Sequence, residues 1–579
     1  MKWVKQSIHY WCPDTKEQKF LGQNVTVAIL DTGISPHPDF KGRILSFRDF
    51  SNTTGSSEKV LFSFSHFSPL IDNSGHGTHV AGIAGGGYFG TIATSESTTL
   101  DKNPYYGVAY DADLVMVGST LEDTDILNGI KYVFNYADSI DKPAVVNISL
   151  NTSYGPHDGT SLFDQAIDAM LGKGKILVGS IGNDAKNKTH ASMELSNAET
   201  PVLTFFKPSG YAANTFEVWG ESDGFTVTVS LTDSQGETVW SCTSNGTDQS
   251  FSVPADFNYS EGGEIAYYTE LWNSTRRMYR VALNNLNLKG YDIQIGVTGE
   301  TQHIDLWTDK NSGQFTDNGK STHVNFDADR TLGELGGTGK RTISVGNYTT
   351  RNVWTNFSGK KQSMLIDYPL NKINYTSSRG PASDGRVKPD VTAPGGMIFS
   401  SVSSYSDYYK ESSANTVARA TINGKSYYWG QMTGTSQASP FVAGVIATWL
   451  EANPELSPED IQLILKKTAR QDSHTGACPN SIYGYGKIDA LAGIKEVLSP
   501  SAIDNLSTDK LYKLYRDGIL FTSQAGKINL ILSTPDGIIR YSDKTDVEPG
   551  TRIEWEELGL NTGLYILHIN GFSEKIFVP

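Results

Sequence analysis

Over the first third of the chain the apolar positions come in short continuous runs. VTVAIL (25–30), DLVMV around Val115, AVVNISL (144–150) and KILVGSIGN (175–183) each read as strands buried on both faces. Segments such as ILNGIKYVFNYA lie between them with helical spacing. Strands alternating with helices predict a parallel sheet flanked by helices, an α/β architecture. From about residue 200 the period changes. Phe225, Val227, Val229 and Leu231, and later Tyr291, Ile293, Ile295 and Val297, stand at alternate positions in runs broken by Gly, Asn and Asp. That pattern predicts an antiparallel β-sandwich or jelly roll. α/β character returns with RTISVGNY at Arg341 and lasts to about Val497, so the β segment is an insertion. After Ser499, short strands at INLIL and LYILHI and a TPDG turn at Thr534 predict a small C-terminal β module. The expected organisation is therefore 1–199 and 336–499 as two parts of one α/β domain, 200–335 as an inserted β-sandwich, and 500–579 as the C-terminal module.

The chain's 579 residues exceed what one core supports, which agrees with several domains. With 38% hydrophobic and 19% charged residues, 57 Gly and 22 Pro, the composition is that of a turn-rich globular protein. A formal net charge of −15 repels phosphates and argues against a nucleic-acid partner. Cys12, Cys242 and Cys478 show no metal-ligand spacing, so neither a disulfide framework nor a zinc site is implied. The opening residues MKWVKQSIHYWCPDTKEQKF lack the apolar core of a secretory signal, and no run of about eighteen apolar residues is present. No membrane span is expected, and any export signal would have been removed ahead of this numbering.

Three motifs carry candidate chemistry. VAILDTGI ends a buried strand at Asp31, at the end of a parallel strand where open sheets place their sites; taken alone, such an Asp also serves as a turn or helix cap. NSGHGTHVAGIAGG sets His76 at or just before a helix of small residues that can pack closely. His76 and His79 invite a two-histidine metal reading, but the Glu of HExxH and a third ligand are missing, so no metal site is assigned and His79 is expected to bond within the core. GTSQASPFVAGVIATWL puts Ser436 ahead of a helix with the apolar stripe Phe441, Val442, Val445, Ile446 and Trp449. An isolated Ser there would read as an N-cap. The conjunction decides: a serine hydroxyl becomes a nucleophile when an imidazole takes its proton and a carboxylate fixes that imidazole, and the order Asp, His, Ser differs from those of chymotrypsin and the α/β-hydrolases.

Through VAILDTGI, HGTHVAG, VGSIGN, SSRGP, KPDVTAPG and GTSQASP the sequence resembles the subtilisin-like serine proteases, over about 24–190 and 336–497. The resemblance implies peptide-bond hydrolysis through an acyl-enzyme, with Ser436 as nucleophile, His76 as general base and acid, and Asp31 orienting His76. Asn183 matches the family's oxyanion-hole asparagine, beside the Ser436 backbone N–H. Ser149, Leu150 and Asn151 resemble the strand that pairs with substrate, with Asn151 where the family usually has Gly. Asp184 is expected at the rim of the primary pocket as a partly exposed charge, giving broad cleavage after large apolar residues with Lys and Arg tolerated better than Glu and Asp. Protein or peptide substrates, a monomer, and a secreted or cell-surface location are expected, with a cytoplasmic one still open. No cofactor is needed for the chemistry. A structural calcium is unplaced, although Asp39 matches a calcium-ligand Asp of some subtilases. The C-terminal region resembles the sorting modules of proteins exported by Bacteroidetes, and some bacterial subtilases carry a similar jelly-roll insert. Two rival readings are a binding or regulatory protein on an inactive subtilase scaffold, and carbohydrate binding by the insert through Trp219, Trp240, Trp272 and Trp307. The insert is expected to be removable at modest cost.

Overall fold

A computed structural model describes residues 20–49, 72–119, 122–196, 199–210, 213–257, 262–364 and 369–499, and, in the C-terminal part, 512–515, 518–521, 526–534, 538–548, 550–569 and 572–578. The opening segment with Cys12, and the TPDG turn apart from Thr534, lie outside the described residues. The chain divides into two compact units, 1–497 and 498–579.

The first unit is built on seven parallel strands: β1 Thr26–Asp31, β2 Ile44–Asp49, β3 Asp113–Gly118, β4 Ala144–Ile148, β5 Lys175–Ser180, β6 Ile343–Thr349 and β7 Val391–Gly396. Their order is β2-β3-β1-β4-β5-β6-β7, so β1 lies between β3 and β4, as its unbroken apolar run requires. Alternate residues face opposite sides. Ala28, Leu30, Val115, Val117, Val146 and Ile148 share a core with α2 Asp123–Ser139 and α3 Leu162–Met170. Helices α1 His76–Gly85 and α4 Thr435–Ala452 also pack on the sheet, and on each other. Helices α5 Pro458–Thr468 and α6 Ala490–Leu498 follow. β1 and β4 are in register at Leu30 and Ile148, so Asp31 and Ser149 emerge side by side at the carboxyl edge.

Between His190 and Thr316 the chain forms two antiparallel sheets, one of five and one of six strands. Phe206, Val227, Val229 and Ile295 of one sheet and Phe216, Val281 and Leu306 of the other enter one core, which makes a sandwich. Its first strand, His190–Leu195, begins ahead of residue 200 because it pairs with Gln302–Thr308, a partner about a hundred residues away that local periodicity does not reveal. The tryptophans of the carbohydrate reading are largely structural. Trp219 and Trp307 are buried, and the Trp272 indole N–H donates to Thr160 Oγ1 at 2.8 Å, across the seam with the parallel-sheet part.

The second unit contains a four-stranded antiparallel sheet, in which Gly526–Ser533 pairs with Ile539–Val547 and with Gly563–Ile569, and a three-stranded one. Ile528, Leu530, Leu532, Leu567 and Trp555 form its core. Among the described residues no helix is long and apolar enough to cross a membrane.

Candidate active site

Asp31 closes β1 with its side chain fully buried. Its Oδ1 accepts the Thr32 backbone N–H at 2.7 Å and lies 2.7 Å from His76 Nδ1. His76 opens α1, and the chain enters that helix through Gly75 at φ 79°, a left-handed conformation that favours glycine. The helix start abuts the β1 turn: a Cβ on Gly77 would stand 2.1 Å from the Gly33 carbonyl oxygen. The small residues of HGTHVAG are therefore what bring imidazole and carboxylate together. Burial disfavours the His76 imidazolium, but the Asp31 carboxylate outweighs it, with Asp72 adding, and the net shift is upward from the usual 6.5.

Asp72 escaped the sequence reading. Its buried carboxylate accepts Thr32 Oγ1–H at 2.9 Å, Gly75 N–H at 2.8 Å and Thr78 N–H at 2.9 Å, and also the Thr78 hydroxyl. Thr32 Oγ1 in turn accepts the Gly77 N–H at 3.0 Å. Asp72 thus ties the loop after Asp31 to the helix that bears His76. The only signal in the sequence is an Asp ahead of a glycine-led helix start, which reads as an ordinary cap.

Ser436 lies in the first turn of α4, where backbone N–H groups have no intrahelical acceptor. Its Oγ is 3.4 Å from the Ser149 carbonyl oxygen. Pro440, four residues on, has no N–H to give the Ser436 carbonyl. The Ser149 hydroxyl supplies that bond at 3.0 Å. Ser149 Oγ also accepts from Asn147 Nδ2 at 3.0 Å, so this side chain is engaged with the helix and with its own strand. Asn183 Oδ1 accepts the N–H of Thr435, the residue before Ser436, at 3.0 Å, which fixes the amide's orientation and leaves Nδ2 as its donor end. Leu150 packs on the α2–α3 core, and Asn151 is exposed.

One expectation changes. Asp184, read as a partly exposed rim charge, is buried: its Oδ1 accepts Asn187 Nδ2–H at 2.8 Å and lies 3.9 Å from Lys310 Nζ. The turn after Asn183 folds the side chain back on its own loop, and its charge is already partnered. Asp39 is buried with Oδ1 accepting the Tyr88 N–H at 2.9 Å and Oδ2 the Trp429 indole N–H at 3.0 Å. Burial raises its pKa to about 6 against those hydrogen bonds. Each Asp39 carboxylate oxygen is thus engaged by a protein N–H donor. Among the described residues no group of three His, Cys, Asp or Glu could hold a metal ion. His79 donates from Nε2 toward the carbonyls of Ile398 and Gly430, each 3.2 Å away, and burial lowers its pKa to about 3, as expected of a neutral core histidine.

Comparison with known proteins adds four findings. The model of the subtilase family matches residues 22–286 and 300–486. The chain is 24% identical over 482 residues to serine protease AprX of Bacillus subtilis, covering 82% of this chain and 66% of AprX. It is 25% identical over 512 residues to the minor extracellular protease Vpr of the same organism, covering 84% of this chain and 54% of Vpr. Among solved structures, the CspB protease of Clostridium perfringens aligns over 83% of this chain and 94% of its own at a TM-score of 0.62, with 23% identity, a likeness of fold. With the family model matching most of its length, this chain belongs to the subtilase family.

Proposed function

We propose that the protein is a serine endopeptidase that hydrolyses peptide bonds in proteins through an acyl-enzyme on Ser436. The observation that carries this is the 2.7 Å contact between His76 Nδ1 and the fully buried Asp31 carboxylate, at the same sheet edge as Ser436 and Asn183. Asp31 accepts a hydrogen bond from His76 Nδ1–H, which holds the tautomer whose Nε2 lone pair is free to take the Ser436 proton. Ser436 Oγ then bonds to the scissile carbonyl carbon. Asn183 Nδ2–H and the Ser436 N–H donate to the oxygen as it gains charge, the amide donor being worth about 2.7–4 kcal/mol in such sites. Imidazolium returns its proton to the leaving amine, and water repeats the sequence on the ester.

An inactive scaffold loses support because Asp31, His76, Ser436 and Asn183 are all retained and the Asp31–His76 contact is made. Protein substrates fit the similarity to the proteases AprX and Vpr. A place outside the cell fits the name of Vpr, and the C-terminal β unit would then serve as a sorting module.

Covalent labelling by a fluorophosphonate tests the reading. The native protein should label and cleave casein, and Ser436→Ala should do neither while keeping its thermal midpoint within a few degrees, since loss of a helix-start hydroxyl costs only about 0.5–2 kcal/mol. Turnover by purified Ser436→Ala would overturn it.

A further inference from the structure

Two backbone segments leave the carboxyl ends of the adjacent strands β4 and β5 and flank Ser436: residues 149–152 and 181–183. With a scissile carbonyl carbon on Ser436 Oγ, beside the Ser149 carbonyl, and its oxygen on Asn183 Nδ2, the side chain preceding that bond falls between the two segments. The floor of the gap is the stretch around Gly333, whose N–H donates to the Ile181 carbonyl at 2.9 Å, while Thr152 bridges to Glu334 on the other side.

The Asn151 side chain occupies this gap. A Cβ on Gly333 would stand 2.4 Å from Asn151 Cβ and 2.8 Å from its Cγ, and a Cβ on Gly182 would stand 3.2 Å from Asn151 Nδ2. A side chain rooted on one wall therefore lies against the floor and reaches the opposite wall. Both points of approach are glycines, and Gly182 is at φ 101°, so neither neighbour can be enlarged without displacing the amide. Asn151 remains solvent-exposed while its side chain lies between Gly333 and Gly182.

We propose that Asn151 plugs the primary specificity pocket and restricts cleavage to bonds that follow a small residue, namely Gly, Ala or Ser. The proposal rests on the endopeptidase reading and reverses the expectation of cleavage after large apolar residues. A phenylalanine or leucine side chain would need the volume that the amide holds. Asp184, with its charge already partnered by Asn187 and Lys310, contributes no preference for a basic residue.

The test compares the full chain and Asn151→Gly on peptides that differ only in the residue before the scissile bond: Ala, Ser, Leu or Phe. The native chain should favour Ala over Phe in kcat/KM by at least about tenfold, and Asn151→Gly should raise the Phe-to-Ala ratio of kcat/KM by at least about tenfold, the scale on which pocket volume discriminates. A native preference for Leu or Phe, or the same profile in both proteins, overturns the proposal. Equilibrium binding of peptides ending in Ala or Phe, to Ser436→Ala with and without Asn151→Gly, separates this failure from that of the chemistry. Absent turnover with Ala bound over Phe would sink the endopeptidase reading and uphold the plug. Equal binding, or no binding of either peptide, would sink the plug.

Discussion

The Ser149 hydroxyl donates to the Ser436 carbonyl at 3.0 Å, the carbonyl that Pro440 leaves without its helical partner. A proline in the second turn of a helix normally costs stability by removing a hydrogen bond. Here the freed acceptor is bound by the strand end next to the nucleophile, which fixes Ser436 relative to β4. Ser149→Ala should leave that acceptor unsatisfied, at about 1–3 kcal/mol. We expect a lower denaturation midpoint together with a fall in kcat that exceeds any rise in KM. An unchanged midpoint would mean that the carbonyl finds another donor.

Acidification should stop the reaction, because imidazolium cannot accept the serine proton. The His76 pKa is shifted upward, so the acid limb of kcat/KM should fall above the usual 6.5. Asp72 contributes to that shift by its charge and holds Gly75 and Thr78 by hydrogen bonds. Asp72→Asn removes the charge, which lowers the His76 pKa, so the acid limb should move to lower pH. Because the tie between Thr32 and helix α1 also loosens, kcat should drop by about 10–100-fold, from the sensitivity of catalysis to small displacements. A drop in rate with the limb unmoved would leave Asp72 a purely structural residue.

His190 is buried with Nδ1 2.8 Å from Asp327 and Nε2 3.0 Å from Asp305, and Asp305 also binds Arg330 at 2.6 Å. Burial opposes its charge, but the two carboxylates outweigh burial and raise its pKa to about 9. A raised folded-state pKa contributes stability that is full below the unfolded value near 6.5 and is lost as pH rises through about 9. The contribution is on the order of 3 kcal/mol. The thermal midpoint should therefore decline between about pH 7 and 9, and Asp305→Asn should lower it at neutral pH and flatten that decline. An equal slope in both proteins would exclude His190 as its source. The same cluster joins the first sandwich strand to the segment leading back into the parallel sheet. Removing residues 200–335 would strip His190 of both partners, contrary to the expectation of a modest cost.

The parallel sheet, the inserted β region and the Asp31–His76–Ser436 order were legible in the sequence, because continuous apolar runs, period-two runs and short glycine-framed motifs are local properties of the chain. Asn183 was singled out through the resemblance of VGSIGN to the subtilisin-like proteases, since a strand-end Asn by itself reads as a turn residue. Asp72, the Ser149 bond to Ser436 and the seating of Asn151 were not, since each depends on groups distant in sequence: Thr32 with Asp72, Ser149 with Ser436, and Asn151 with Gly333. Asp184 shows the converse. Its motif position implied an exposed charge, and the fold supplied it with a donor from Asn187. Which residue types stand at the strand ends is written in the chain. Whether a carboxylate there faces substrate, a proton or a protein N–H is decided only by what tertiary packing brings within hydrogen-bonding reach, because a buried charge takes whichever partner the fold supplies.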